Sequence, residues 1–285
     1  ADLKNAPRSA PRFPRAETLQ SIYSRHVNTE RPIVDLLGEQ WPHFLAWTGD
    51  IERLFGDYVK RKAERNLLDY DDLLLSWALL LEQAPPIAEQ IRALYDHVLV
   101  DEYQDTNPLQ SRILRALCTN GKITVVGDDA QSIYAFRGAT IRNILDFPQQ
   151  FPGTQIVTLE RNYRSTAPIL DTTNAVISRS RERYSKQLWT ERTGGEPPWL
   201  VTVKDEHAQT AFVVDRLLEL HEEGIPLREM AVLFRAGYLS ADLEIELANR
   251  RIPYEKWGGL KFLEAAHIKD ILAFLRVLEN PLDEV

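Results

Sequence analysis

Short apolar runs alternate with longer amphipathic segments along most of the chain. Val98–Val100 and Ile123–Val126 are uninterrupted runs of apolar or β-branched residues, a pattern typical of parallel strands that are buried on both faces. Similar runs predict further strands at Gln155–Leu159, Trp199–Val203 and Met230–Phe234. Because strands alternate with helical segments, the pattern predicts an α/β fold.

Helical periodicity fills the segments between these strands. The leucines of Asn66–Gln83 recur at helical spacing, and Asp69 is suited to cap that helix at its N-terminus. The remaining helices are predicted after Asp105 and at Glu17–Tyr23, Ile51–Glu64, Ile87–Tyr95, Ile141–Phe147, Pro168–Ser178, His207–Glu222, Ser240–Arg250 and Ala265–Glu279. Gly194–Pro198, which contains two glycines and two prolines, is the clearest candidate for a linker.

Composition excludes several classes of protein. The longest apolar runs are far shorter than the roughly 18 residues that a membrane span requires, and no secretory signal is visible, so we expect a cytoplasmic protein that does not enter a membrane. A single cysteine, Cys118, allows no internal disulfide, and no Cys/His cluster predicts zinc. We expect Cys118 to be a small buried residue.

The net charge of −8 argues against a nucleic-acid-binding surface that covers the whole molecule, because phosphate contacts need Lys and Arg. The charge is not spread evenly along the chain. Glu160–Arg192 holds seven basic and four acidic residues, so this segment is positive within an acidic chain. A solvated surface explains that bias about as well as a binding track.

Carboxylates follow both of the clearest predicted strands. Asp101 and Glu102 come directly after the first, and Asp128 and Asp129 come shortly after the second. Ligands of open α/β sheets bind beyond the carboxyl ends of the strands, so these acids lie where chemistry is expected. For an Asp-Glu pair alone, an acidic helix start would be an equally good explanation.

Three motifs carry a family resemblance. DEYQDTN (Asp101–Asn107), VVGDDAQSIYAFRGA (Val125–Ala139) and LERNYRST (Leu159–Thr166) resemble motifs II, III and IV of the UvrD/PcrA/Rep family of superfamily-one DNA helicases. The resemblance implies an α/β fold of RecA-like (P-loop NTPase type) parallel-sheet lobes with an added helical subdomain. It places a helical accessory subdomain at residues 1–95, the C-terminal half of the first lobe at 96–165 and the N-terminal part of the second at 166–285.

The same resemblance implies ATP and Mg²⁺ as cofactors and assigns residues to them. Asp101 matches the aspartate that holds Mg²⁺, and Glu102 matches the residue that activates the attacking water. Gln131 and Arg164 match side chains that contact the γ-phosphate. Tyr163 matches the residue that stacks on adenine.

Motif III also implies contact with DNA. Tyr134, Phe136 and Arg137 match positions that face single-stranded DNA, where aromatic rings stack on bases of any sequence. The expected partners are therefore single-stranded DNA and its junctions with duplex. The alternative for Tyr134 and Phe136 is packing in the core.

No GxxxxGK[ST] phosphate-binding loop occurs in the 285 residues, and motifs V and VI of the family are not found either. Three interpretations follow. The chain is part of an ATP-dependent DNA helicase, a catalytically inert relative that binds DNA or docks on proteins, or part of a helicase–nuclease subunit. Because Asp101, Glu102, Gln131 and Arg164 occur together, we favour the first and expect the chain by itself to be inactive in ATP hydrolysis.

Overall fold

The computed structural model describes residues 12–258 and 266–279. The chain divides into two compact units after Pro198, at the end of the Gly194–Pro198 segment that the sequence predicts as a linker. The described part is mostly helical and contains one two-stranded parallel sheet. No helix in the described ranges is long and apolar enough to cross a membrane.

Nine helices belong to the first unit. Their bounds are α1 Ala16–Thr29, α2 Ile33–Gln40, α3 Thr48–Glu64, α4 Tyr70–Gln83, α5 Pro85–Arg92, α6 Pro108–Leu117, α7 Arg142–Leu145, α8 Phe147–Gln150 and α9 Ala167–Ile177 within residues 12–198. The sequence did not predict α2. The helix predicted at Ile141–Phe147 is split into α7 and α8, because Pro148 has no N–H to continue the helical ladder.

The sheet consists of β1, Val98–Val100, and β2, Ile123–Val125, and α6 connects them. Val98 pairs with Ile123 and Val100 with Val125. Asn107 caps α6: its side chain accepts from the N–H of Gln110, whose side chain accepts from the N–H of Asn107. Since the strands are parallel, their carboxyl ends meet at one edge of the sheet.

Three predicted strands are wrong. Gln155–Leu159, Trp199–Val203 and Met230–Phe234 form no strand in the described residues. A strand needs a hydrogen-bonded neighbour, and no described segment pairs with these runs. Their apolar side chains are correspondingly open to solvent: Val157 is 79% exposed and Leu233 is 93% exposed.

Three apolar clusters lie in the described residues of the first unit. Residues of α1, α2 and α3 form one, centred on Ile22, Leu37 and Ile51. Helices α4, α5 and α6 form the second. Tyr103, Ile144 and Phe147 form the third, against which Val100 of β1 and Val125 of β2 pack. Cys118 is buried, as its position predicts.

A buried ion-pair network fixes the junction of α3 and α4. The Lys62 ammonium lies 2.6 Å from both the Asp69 and the Asp72 carboxylates and over the Tyr58 ring, 4.3 Å from its centroid. Asp69 also caps α4 as predicted, accepting from the N–H of Asp72 at 2.8 Å. Burial raises the pKa of Asp69, but hydrogen bonds from Lys62, the Asp72 N–H and Tyr58 outweigh it and hold the pKa below its ordinary value.

The second unit contains α10 Glu206–Glu222, α11 Ala241–Asn249 and α12 Ala266–Glu279 in its described part. Val214 of α10 and Leu247 of α11 pack together with Ile252 in a small core. Lys256 forms a buried ion pair with Glu244 at 2.7 Å. The predicted helix start, Ala265, lies outside the described residues.

Candidate functional site

Asp101 and Glu102 lie at the carboxyl end of β1, and both are exposed. Asp101 Oδ1 accepts a hydrogen bond from the N–H of Glu102 at 2.9 Å. Its second carboxylate oxygen has no hydrogen-bond partner among the described residues. A carboxylate that is open to solvent and held by one local bond is suited to bind a hydrated cation.

Glu102 adopts a left-handed backbone conformation, with φ 49° and ψ 43°. A residue with a side chain reaches this region only at a cost of about 1–2 kcal/mol. The conformation turns the chain sharply at the end of β1. It therefore displays both acids at the edge of the sheet where β2 also ends.

Gln104 connects the two acidic turns. It is almost fully buried, and its amide nitrogen donates to Glu102 Oε2 at 2.7 Å. Its amide oxygen accepts from the N–H of Asp128 at 2.9 Å. One buried side chain thus fixes Glu102 relative to the turn that follows β2.

Gly127 is required by this close approach. A Cβ atom there would lie 2.6 Å from Gln104 Oε1 and 2.8 Å from Ile144 Cδ1, closer than real Cβ contacts. Neither neighbour can withdraw easily, because Gln104 is held at both ends of its amide and Ile144 lies in the third cluster.

We therefore expect Gly127→Ala to lower the free energy of unfolding by about 1–3 kcal/mol through overpacking. Gly56→Ala is the matched control, since its Cβ meets nothing within 4 Å and α3 should gain slightly from alanine. Urea unfolding of the two variants measures the difference. Equal stability of both would show that the Gln104 contact is loose.

The turn after β2 holds a second cluster of charged groups. Lys186 Nζ donates to Asp128 Oδ1 and, at 2.6 Å, to Asp129 Oδ1. Gln131 Nε2 donates to the other oxygen of Asp128 at 3.0 Å. Burial raises the pKa of Asp128, but the hydrogen bonds from Lys186 and Gln131 outweigh it, so the pKa is lowered and Asp128 is ionised.

Both acidic turns face one open cavity of about 1170 Å³. Asp101, Glu102, Asp128, Gln131 and Lys186 are among its lining residues. The structure thus brings together three of the residues predicted for nucleotide chemistry, Asp101, Glu102 and Gln131. No cluster of three or more His, Cys, Asp or Glu side chains in the described ranges could hold a metal on its own. Mg²⁺ fits such a site, since it commonly takes one or two carboxylates, and phosphate and water oxygens supply the rest.

Tyr163 and Arg164 do not line this cavity. Both side chains are exposed, and the described residues offer the Arg164 guanidinium no acidic partner. The turn itself is well fixed. The Asn162 side chain accepts from the N–H groups of Arg164 and Ser165, and Arg192 donates to the carbonyl of Arg164 at 2.8 Å.

Tyr134, Phe136 and Arg137 form an exposed aromatic and cationic group. The two rings lie 5.7 Å apart, and the Arg137 guanidinium stands 5.3 Å from the Tyr134 ring and 5.6 Å from the Phe136 ring. Phe136 is 65% exposed and so is not a core residue. Arg25 of α1 donates to the Phe136 carbonyl at 3.0 Å and so connects this loop to α1.

Sequence reasoning missed three residues that organise the site: Gln104, Lys186 and Arg25. Gln104 lies inside a recognised motif, and its position between Glu102 and Asp105 was the available signal. Lys186 and Arg25 lie 58 and 111 residues from the groups they bind, so no local pattern indicates them.

Comparison with known proteins agrees with these motifs. The model of the UvrD/REP helicase N-terminal domain matches residues 45–152, and that of the UvrD-like helicase C-terminal domain matches residues 157–285. ATP-dependent DNA helicase UvrD1 of Mycobacterium tuberculosis is 42% identical over 244 residues, covering 82% of this chain and 32% of the relative. DNA helicase II of Escherichia coli is 38% identical, with the same two shares covered.

A third relative, ATP-dependent DNA helicase PcrA of Staphylococcus aureus, is 36% identical over 236 residues, which are 82% of this chain and 32% of PcrA. The chain thus spans about a third of the length of these curated relatives. Two adjoining domain models and three relatives above 30% identity agree, and the chain therefore belongs to the UvrD-like helicase family.

Proposed function

We propose that the chain is part of an ATP-dependent motor that couples nucleotide hydrolysis to movement along single-stranded DNA. The observation that carries this proposal is the meeting of the two acidic turns. Glu102 and Asp128, which follow neighbouring parallel strands, are bridged by one buried amide and face one cavity. The wider arrangement we propose is RecA-like lobes with an added helical subdomain, divided near residues 95 and 165.

In this proposal each acid at the end of β1 has one task. Asp101 would hold Mg²⁺ through its open carboxylate, and the bound ion would offset charge on the phosphate oxygens of ATP. Glu102 accepts a proton from the attacking water and is held in place by Gln104. Gln131 and Arg164 contact the γ-phosphate, and Tyr163 stacks on the adenine.

The DNA strand is proposed to run over Tyr134, Phe136 and Arg137. The exposure of the two rings and their closeness to each other support this role, because a ring must be accessible before a base can stack on it. Movement in the 3′-to-5′ direction, action at single-strand/duplex junctions and a place in DNA repair or replication follow from the family resemblance.

The direct test is ATP hydrolysis in a chimera. The chain replaces its matching third of Mycobacterium tuberculosis UvrD1, so that the rest of the motor is supplied by the relative. We expect DNA-stimulated turnover in the chimera and none from the isolated chain, whose 285 residues contain no phosphate-binding loop. A folded chimera without DNA-stimulated turnover would contradict the proposal.

Binding of single-stranded DNA is testable on the chain itself. We expect affinity in the micromolar range or weaker, falling as salt rises, because few phosphates are neutralised in a chain of net charge −8. Stacking contributes about 1–3 kcal/mol per base, so Phe136→Ala should weaken binding about five-fold or more. Duplex DNA should bind less well, since its bases are not free to stack.

Fluorescence anisotropy with a labelled oligonucleotide measures this effect. Phe274→Ala is the matched control, because Phe274 is 67% exposed and Phe136 is 65% exposed. Tyr134→Ala and Tyr95→Ala form a second pair. If the Phe136 and Tyr134 variants bind like their controls, the strand does not pass over this group.

A further inference from the structure

Lys186 is a largely buried cation that lines the same cavity as Asp101, Glu102 and Gln131, and the sequence motifs do not include it. Its side chain is 14% exposed, and it contacts Asp129, whose side chain is 2% exposed. Burial lowers the pKa of Lys186, but its hydrogen bonds to Asp128 and Asp129 outweigh this and raise the pKa above its ordinary value. Lys186 is therefore charged, and it offsets the charge of the buried Asp129 carboxylate and of the partly exposed Asp128 carboxylate beside it.

On one side, Lys186 is connected to Gln131. One carboxylate oxygen of Asp128 accepts a hydrogen bond from Lys186, and the other accepts one from the Gln131 amide nitrogen at 3.0 Å. The position of the Gln131 side chain therefore depends on how Asp128 is oriented. Two residues before Lys186, the N–H of Tyr184 donates to Asp129 Oδ2 at 3.0 Å and so also holds this segment against the acidic turn.

On the other side, Lys186 is connected to the turn that carries Arg164. Trp189 donates to the carbonyl of Glu160 at 3.0 Å, and Asn162 donates to the carbonyl of Trp189 at 2.7 Å. The side chain of Asn162 in turn fixes the N–H of Arg164. The segment from Lys186 to Trp189 thus lies beside Glu160–Asn162 and is bonded to it in both directions.

We infer that Lys186 is a positioning residue that holds Gln131 and the Arg164 turn in a fixed mutual relation. This inference rests on the proposed function only for its consequence in catalysis, since Gln131 and Arg164 are the two side chains proposed to contact the γ-phosphate. Hydrogen bonds join the Gln131 amide to Asp128 and Asp128 to Lys186, the backbone of residues 186–189 leads from Lys186 to Trp189, and further hydrogen bonds join Trp189 to the Arg164 turn. Lys186 is the cation in that series of contacts, paired with Asp128.

Hydrogen–deuterium exchange of the chain tests the connection without ATP. In Lys186→Met we expect amides of residues 160–165 and 184–190 to exchange about ten-fold faster or more, while α1–α3 stay unchanged. Lys122→Met, at an exposed lysine in the same unit, is the control and should change neither region. A general loss of stability would speed exchange everywhere, so the local pattern separates positioning from folding.

Two more variants keep this test decisive. Lys186→Met/Asp129→Asn removes an acid together with the cation, so this variant should fold even if Lys186→Met does not. Amide exchange at residues 160–165 should remain fast in it. Lys186→Arg keeps a cation that can bridge both acids and should restore slow exchange. If the change in the methionine variants is confined to 184–186, the connection to Arg164 does not exist and the inference is overturned.

The consequence for catalysis is measured in the UvrD1 chimera. Lys186→Met should lower kcat about 10- to 100-fold with a small change in KM, because misplaced groups lose transition-state contacts more than ground-state binding. Lys186→Arg should recover most of kcat. Native kcat in Lys186→Met would overturn the inference, whereas a chimera inactive even with the native chain contradicts the proposed function and leaves the exchange result to decide this inference.

Discussion

Glu102→Gln is expected to abolish ATP turnover in the UvrD1 chimera while ATP binding stays close to that of the native chain. The amide has the shape of the carboxylate and can still bond Gln104, but it cannot accept a proton from the attacking water. Loss of a general base costs about 10²- to 10⁴-fold in rate. Steady-state hydrolysis and nucleotide binding, measured on the same preparation, give the two quantities separately.

Glu52→Gln is the control for this prediction. Glu52 is an exposed glutamate on α3, far along the chain from the acidic turns, and its replacement should change neither rate nor binding. If Glu102→Gln retains the native rate, Glu102 is not the base. A variant that loses ATP binding as well would indicate that Glu102 shapes the site instead of acting on water.

Lys62→Met should produce the largest change in stability. Its ammonium is the shared partner of Asp69 and Asp72, and its side chain is 10% exposed. Methionine fills a similar volume but leaves two carboxylates at the start of α4 without their cation. Breaking a buried ion pair from one side costs about 3–5 kcal/mol, which chemical denaturation of the chain measures.

Two comparisons identify the cause of that loss. Lys60→Met removes a lysine that is 75% exposed and should cost little. Lys62→Met/Asp69→Asn/Asp72→Asn removes the charges together and keeps an asparagine cap on α4, so much of the stability should return. If the triple variant is as unstable as Lys62→Met, packing and not charge explains the loss.

The pH dependence of this contribution has a definite sign. The pKa of Asp69 is lowered by folding, so its contribution is complete above about pH 5 and is lost as the pH falls through the folded pKa. Burial lowers the pKa of Lys62, but its bonds to Asp69, Asp72 and Tyr23 outweigh this and raise it, so its contribution is lost only as the pH rises through that raised value. Between about pH 5 and pH 9 the difference between native and Lys62→Met should stay constant.

The placement of the acidic residues at the end of β1 and of the cap on α4 could be predicted because both are local in sequence. Asp101 and Glu102 follow β1 directly, and Asp69 caps a helix that begins at the next residue. A strand end, a cap and a turn are each decided within a few residues. The patterns that mark them are therefore visible without any knowledge of the fold.

What could not be predicted depends on distant partners. Val157 and Leu233 lie in runs with the apolar pattern of strands, but pairing requires a neighbour that the described residues do not supply. Lys186 likewise has no local feature that would reveal Asp128 and Asp129 as its partners. Periodicity reports which residues favour burial, and it cannot report what will cover them.

Because Glu102 has a left-handed backbone, the residue that would be most stable at this position is not the residue that the proposed activity needs. Glycine there would remove a strain of about 1–2 kcal/mol, so the change that most relaxes this turn also removes the proposed base. A laboratory selection for thermal resistance alone would favour that replacement, and the loss of ATP turnover would not be detected. Selections that retain the glutamate must score hydrolysis in every round, and a lineage freed from catalysis would be expected to lose Glu102 early.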